Sequence, residues 1–421
     1  MGANAISEQA RTAPPPFFSA LTRTESGALI ATFAGWCLDG MDVMAYSFVL
    51  PTLITLWHLS KGQAGLLGTS ALIVSALGGW VAGLAADRYG RVRILQLTIL
   101  WFAVFTFLSG FAHSFPELLV MRALQGLGFG GEWAVGSVLI GETIRNEHRG
   151  KAVGLVQSGW AIGWGLAAIF YTLFYLTMPV AYAWRAMFWI GLLPALLVFY
   201  IGRRVHEPEV FDRQSVARKS QGSLSEIFSR RVLRITLLTS LVALGVQGGY
   251  YAITTWLPLY LSSTRGLSVF NTGKYLCVVI LGSFAGYLTS AWLTDKLGRR
   301  GTLILFAACS FLTVTLYMAF PISNHTMLLL GFPLGFFPSG SFGPVGSFFT
   351  ELFPTRVRGS GQGFSYNLGR GIGALFPTLV GALTARVGLG RAIAIFAAAA
   401  YLLMVLGVLA LPETRGRELE D

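Results

Sequence analysis

The sequence predicts an all-α membrane protein, with twelve transmembrane helices in two parallel halves of six. Three observations lead there. Of 421 residues, 54% are hydrophobic and only 12% are charged, about half the charged share of a soluble domain, and mean hydropathy is +0.63. Apolar runs of bilayer-spanning length recur between residues 28 and 411. Short motifs also repeat at a nearly constant offset. Asp87-Arg88-Tyr89-Gly90-Arg91 returns as Asp295-Lys296-Leu297-Gly298-Arg299, 208 residues on. Glu142, Arg149 and Gly150 return as Glu351, Arg358 and Gly359, 209 residues on.

The chain opens with a polar, proline-rich tail, residues 1–27. No cleavable signal sequence is expected, because the first apolar run is too long for one. Spans one to six are expected near 28–57, 64–86, 94–113, 118–142, 150–176 and 184–203, the first half. A polar, basic stretch, 204–231, separates the halves. Spans seven to twelve follow near 232–261, 273–294, 302–320, 325–350, 359–385 and 391–411, and 412–421 form a short tail. Lys and Arg set the orientation. With both termini inside, the inner segments hold 23 of the 31 Lys and Arg and the outer loops six, while Arg122 and Arg370 fall within spans. Both termini are therefore expected in the cytoplasm, with the protein in the inner membrane. The same bias accounts for the net charge of +12 without a nucleic-acid partner. Cys37, Cys277 and Cys309 fall in apolar runs and are expected as buried free thiols, without disulfide or metal spacing. Gly150/Gly154, Gly159/Gly163, Gly282/Gly286 and Gly331/Gly335 are spaced for close helix packing.

Asp39 and Asp42 sit inside the first apolar run. Charge at bilayer depth is costly, so ionisable residues there usually face an internal cavity and mark a pathway. Positions i and i+3 share a helix face. Both carboxylates can therefore line one water-filled path, with Gly40 admitting a neighbouring helix. Either is a structural acid held by a neighbouring helix, or a group that takes up a proton. Glu132, midway along the fourth span, is a further candidate proton carrier. It lies about 15 Å along the helix from Arg122, so these two do not pair directly. Arg370 falls near the middle of span eleven. It is either the partner of a protein acid or a forked clamp for a substrate carboxylate. Asn367 and Tyr366, one turn earlier, could add neutral hydrogen bonds. Gln247 and Tyr251 share a face of span seven, and Gln157 and Trp160 a face of span five; each pair is either packing or cavity lining. Asp87, Arg88, Arg91, Glu142, Asp295, Arg299, Glu351 and Arg358 lie at the cytoplasmic span ends. Ion pairs among them would latch one conformation and break in another, beyond anchoring the positive inner side.

Several of these motifs carry a resemblance. Gly83-x-x-x-Asp87-Arg88-x-Gly90-Arg91-x-Arg93 resembles the signature loop of the major facilitator superfamily. Arg122-x-x-x-Gly126-x-Gly128 resembles its fourth-helix motif, which the family associates with proton-coupled members. Glu351-Leu-Phe-Pro-Thr-x-x-Arg358-Gly and Pro412-Glu413-Thr414-Arg415-Gly416 resemble its sugar- and carboxylate-porter end motifs. Asp39-Gly-Met-Asp42 is similar to the DGxD of proton-coupled aromatic-acid symporters, and equally to the sialate and lactate branch. Gly130-Gly-Glu132-Trp133, His148-Arg-Gly-Lys-Ala-Val-Gly154, Gln157-Ser-Gly-Trp160 and Tyr366-Asn367-Leu-Gly-Arg370 look more like that second branch. The second signature loop departs from the pattern at Ala291 and Lys296.

The resemblance implies a monomeric secondary transporter of two rocking halves, an architecture with its site between them near the midplane. A proton from outside would neutralise an acid among Asp39, Asp42 and Glu132. A small organic carboxylate – a monocarboxylate, sialate-like or aromatic acid – would bind near Arg370, Asn367 and Tyr366. One proton per monovalent anion would cancel the roughly 2.3 kcal/mol per charge per 100 mV that opposes anion uptake. Two alternatives stay open: uptake of a neutral solute such as a sugar, with Arg370 permanently paired to a protein acid, and efflux of a drug or metabolite. No enzyme is expected, since HExxH, GxxxxGKS/T and GxSxG are all absent and Gly126–Gly131 lies inside a membrane helix. No cofactor and no metal is expected, and the lack of a nucleotide-binding domain argues against ATP-driven transport.

Overall fold

The structure, a computed structural model, describes residues 17–205, 207, 224–354 and 357–415. Among these residues the chain is helical, without a strand. A short turn, Phe17–Ala20, leads into α1, Arg23–Leu56. Thr22 caps α1 reciprocally with Glu25, and Ser60 caps α2, Lys61–Tyr89, with Gln63, so two first-turn amides find acceptors in each. The first half continues through α3, Arg91–Ser109, α4, Phe115–Thr143, α5, Asn146–Thr177, and α6, Val180–Arg204. The second half is α7, Leu233–Thr264, α8, Val269–Leu297, α9, Arg299–Ala319, α10, Asn324–Leu352, α11, Arg358–Val387, and α12, Leu389–Leu409.

Four helices are broken beside a proline. α6 has a 3-10 turn at Ile190–Leu192 before Pro194, and α7 breaks at Pro258. α10 breaks between Gly340 and Val345 at Pro344, and α11 between Gly373 and Phe376 at Pro377. Proline lacks the amide that would continue the ladder. Among the described residues, eleven helices are long and apolar enough to cross a bilayer. The twelfth, α4, is equally a spanning length at 29 residues; Arg122, Glu132 and the glycines of 126–131 dilute its apolar character. The chain therefore forms the twelve-helix, two-half membrane fold that its sequence predicts.

Glycine brings helix backbones together. Gly163 of α5 lies on the Cys37 carbonyl of α1, and Gly126 and Gly130 of α4 lie on the Ala71 and Ser75 carbonyls of α2. In the second half, Gly282 and Gly286 of α8 lie on Phe332 and Phe336 of α10, and Gly335 lies on Val279. Lipid supplies no hydrophobic drive between helices, so close contact must supply the attraction instead. The cysteine expectation needs correction. Cys37 is buried, but Cys309 is half-buried and Cys277 is exposed. An apolar run says that a residue sits in the bilayer, not whether it faces lipid or protein.

Between the halves, α2 packs on α11 and α5 on α8. The Thr69 hydroxyl donates to the Ala374 carbonyl at 2.6 Å and accepts from Thr378 at 2.8 Å. Gly65 lies on the Pro377 carbonyl, and Gly381 on the Lys61 carbonyl. Towards the other end, Trp80 packs on Phe364, and Gly154 of α5 faces Ala291 of α8. The halves therefore meet on both sides of the centre.

Candidate functional site

The acids converge from α1 and α4. Asp39 is 0% exposed and Asp42 1%, but they address different partners. The Asp42 carboxylate accepts from the Gln125 amide, and the Gln125 oxygen accepts from Arg122 Nη1 at 2.6 Å. Arg122 lies over the Tyr46 ring, 4.7 Å from its centroid, and Tyr46 donates to the Ala64 carbonyl of α2. Asp42 thus meets Arg122 through Gln125. A cavity of about 20 Å³ borders Tyr46, Arg122, Gln125, Tyr251 and Thr254, room for about one water.

Asp39 turns the other way, to Glu132 of α4. The Glu132 Oε1 rests on α1 at Gly35, where any Cβ would collide with it, and the two carboxyl groups are neighbours. Neither Asp39 oxygen meets a hydrogen-bond donor, nor does Glu132 Oε2. Indoles wall the pair: Trp36 stands 4.3 Å from Trp133 and 4.9 Å from Trp160, ring centre to ring centre.

Arg370, 1% exposed, enters from α11. Its Nε donates to Gln247 Oε1 at 3.3 Å, which also accepts from the Tyr251 hydroxyl at 3.4 Å. Gln247 Nε2 donates to the Tyr366 carbonyl at 2.9 Å. The guanidinium lies between the rings of Phe129 and Tyr366, 5.2 Å from each. Its Nη1 is buried without a partner, and Asp39 is the acid within electrostatic range. Phe129 belongs to α4, so this contact crosses between halves. So does Trp160 Nε1, which donates to the Tyr250 hydroxyl of α7 at 2.7 Å.

The structure thus gathers Asp39, Asp42, Arg122, Glu132, Trp160, Gln247, Tyr251, Tyr366 and Arg370. Asn367 stays apart: half-buried, it donates to the Gly363 carbonyl of its own helix at 3.0 Å and faces Gly79 of α2. Gln157 is half-buried on α5 with no hydrogen bond to this network. Here the helices close over Asp39 and Asp42, and the two acids meet different partners. Sequence reasoning passed over Gln125, Phe129 and Trp36. Each stands three residues from a named charge, on the same helix face, and that spacing was the available signal.

At one end of the bundle, Gly90 and Gly298 have φ of +107° and +84°, a region that favours glycine. A Cβ there would strike the carboxylate of Glu207 or Glu413. Glu207 accepts from the Arg91 and Val92 amides at 2.8 and 2.9 Å, and Glu413 from those of Arg299 and Arg300 at 3.0 Å each. These acids cap the orphan amides at the starts of α3 and α9. Burial pushes the Glu413 carboxyl up, but four backbone donors outweigh it and hold it below the usual carboxylate range. Arg91 pairs with Glu142 at 3.2 Å. Arg299 pairs with Glu351 at 2.9 Å and Asp295 at 3.6 Å, and the Thr414 hydroxyl donates to Glu351 at 2.5 Å. Arg358 Nε donates to the Thr350 carbonyl at 2.9 Å, and Arg88 lies over the Tyr89 ring. The side chain of Asp87 lies outside the described residues. Among the described residues, both glutamate pairs join helices of one half, α3 to α4 and α9 to α10.

A profile of the Major Facilitator Superfamily matches residues 32–377 and 278–420. The probable 4-methylmuconolactone transporter of Cupriavidus pinatubonensis is 45% identical over 391 residues, 93% of this chain and 91% of that protein. The sialic acid transporter of Escherichia coli is 30% identical over 380 residues, 90% of this chain and 92% of that one. Among solved structures, the proton:xylose symporter bound to 6-bromo-6-deoxy-D-glucose has the same fold, with a TM-score of 0.74 at 20% identity over 94% of this chain and 98% of that one. The twelve-helix fold, the twice-repeated end turn and the match along nearly the whole chain lead to one conclusion: this chain is a membrane transporter, not an enzyme, and belongs to the Major Facilitator Superfamily.

Proposed function

We propose that the protein takes up a small organic carboxylate together with protons by alternating access. Arg370 carries this reading. A buried guanidinium whose Nη1 has no partner and which makes no ion pair among the described residues keeps a donor for a bound acceptor, and a buried donor left unmatched is costly. A carboxylate would supply two acceptor oxygens in the geometry the guanidinium fork matches. Phe129, Tyr366 and Trp160 offer flat faces to an apolar body beside it. The two relatives are named for 4-methylmuconolactone and sialic acid, both carboxylic acids. Asp39, Asp42 and Glu132, with Arg122, are the candidates for proton coupling. The acids and arginines of the end turns are the candidates for gating. The proposal also places a monomer in the inner membrane, with halves 28–203 and 232–411, a central loop 204–231, and both termini, 1–27 and 412–421, in the cytoplasm.

The test is uptake into proteoliposomes of radiolabelled 4-methylmuconolactone, sialic acid, lactate, benzoate and a neutral sugar, with and without an inward proton gradient. Accumulation of one acid that needs both the gradient and Arg370, lost in Arg370→Gln, is the expected result. Uptake of the sugar, or acid uptake that survives Arg370→Gln, overturns the carboxylate site.

A further inference from the structure

The Asp39–Glu132 pair lacks a donor. Two carboxyl groups lie side by side, and three of their four oxygens are buried without any hydrogen-bond partner. Buried acceptors normally find donors, and each that does not costs free energy. Among the described residues, no neighbouring element provides one. At this level α5 presses Trp160 onto Gly40, and α6 presses Leu197 onto Gly35. On α1, Cys37 lies two residues before Asp39, the Trp36 Nε1 donor one turn away is itself buried without a partner, and Asp42 is already engaged by Gln125. On α4, Arg122 donates to Gln125. From α7, Tyr251 donates to Gln247, and Arg370 of α11 is within electrostatic range but makes no ion pair with Asp39. Two ionised carboxylates this close and this dry repel one another. One proton between them makes one group a donor and the other its acceptor.

Charge balance points the same way. Arg122 is matched by Asp42 through Gln125. Arg370 then remains, opposite an acid pair that carries a single negative charge if one proton is shared. The centre is neutral in that state. A substrate carboxylate on Arg370 would add one negative charge and remove the pair's compensation.

We propose that Asp39 and Glu132 hold one proton between them in the empty carrier and take up a second when an anion occupies Arg370. The second step rests on the carboxylate reading; the shared proton does not. On anion binding, an O–H bond forms at the carboxylate of the pair still charged, with the proton drawn from the side that delivers the anion. When the anion leaves on the other side, that O–H bond breaks, the proton departs there, and the pair again balances Arg370. One proton accompanies each anion through this pair, with no change of redox state.

Infrared spectroscopy of the purified, reconstituted protein tests the first step without any substrate. The expected result at neutral pH is a protonated-carboxyl C=O band that shifts in D₂O, is absent from both Asp39→Asn and Glu132→Gln, and persists in the exposed-acid variant Glu117→Gln. No band in the wild type, a band surviving in both pair variants, or a band lost in Asp42→Asn alone overturns the pair. Should one variant fail to fold, the D₂O-shifted band of the wild type and the other variant still decide. The second step is read with a pH-indicator dye in weak buffer as 4-methylmuconolactone is added. One proton should be taken up per molecule bound, and at least tenfold less in Glu132→Gln. A band without binding of any acid in the uptake panel sinks the carboxylate reading and leaves the pair standing. Gradient-driven uptake through Arg370 without the band sinks the pair and leaves the carboxylate reading standing.

Discussion

Arg370 concentrates what a single residue can say here. Its place in the middle of an apolar run was visible in the sequence, and so was its choice between a protein acid and a substrate. The structure leaves Nη1 without a partner and places two rings on its faces. Arg370→Lys keeps the charge but not the fork. It should weaken binding of the transported acid by about 1.5–3 kcal/mol, at least tenfold in Kd, measured by isothermal titration on the purified carrier. Gln125 is the counterexample: its i+3 spacing from Arg122 puts the two on one helix face, but nothing in the sequence shows that this uncharged glutamine also reaches Asp42 on another helix. Gln125→Leu leaves Asp42 and Arg122 buried without their bridge. It should lower thermal stability by about 1–3 kcal/mol, read as a lower melting temperature in detergent.

At the scale of elements, small residues decide which helices touch. The Gly159/Gly163 and Gly282/Gly286 spacings announced close packing in the sequence, and both meet backbone carbonyls in the structure. Gly83, part of the signature loop, meets nothing within 4 Å of a Cβ built there. Gly163→Val should therefore abolish folded expression, whereas Gly83→Ala should leave it near wild type, compared by fluorescence size-exclusion chromatography. The start of α9 gives a pH prediction. Glu413 is held below its ordinary pKa, so its contribution to stability is fully present above pH 4.5 and is lost as pH falls through the lowered folded value. Glu413→Gln should lower the melting temperature by the same amount throughout pH 5–8, with the difference from wild type shrinking only in more acid solution. Any pH dependence of transport between pH 5 and 8 must then arise elsewhere than in this cap.

At the scale of the whole molecule, the structure shows the two halves closed over a centre whose charged groups have almost no exposure. Gly65 and Gly381 permit α2 and α11 to meet at one end. Gly381→Leu should hold that end open. In a background without the 3 native cysteines, Thr254→Cys, at a position 4% exposed here, should then react with a membrane-impermeant maleimide and should be unreactive with Gly381 intact. Equal reactivity in both would remove α2–α11 contact as the closing surface. The sequence by itself determined the all-α membrane class, the twelve spans, the repeat of the halves and the costly charges at bilayer depth. All of these depend on composition and on spacing along one chain, which hydropathy and helix periodicity report directly. Tertiary structure alone decided that Asp39 faces Glu132 while Asp42 faces Gln125, that Asn367 turns away to Gly79, and that the Arg91–Glu142 and Arg299–Glu351 pairs join helices within one half. Those facts depend on the rotation of each helix against its neighbours. In a bilayer that rotation is set by backbone contact and by the few available hydrogen-bond donors, and neither leaves a periodic trace in sequence.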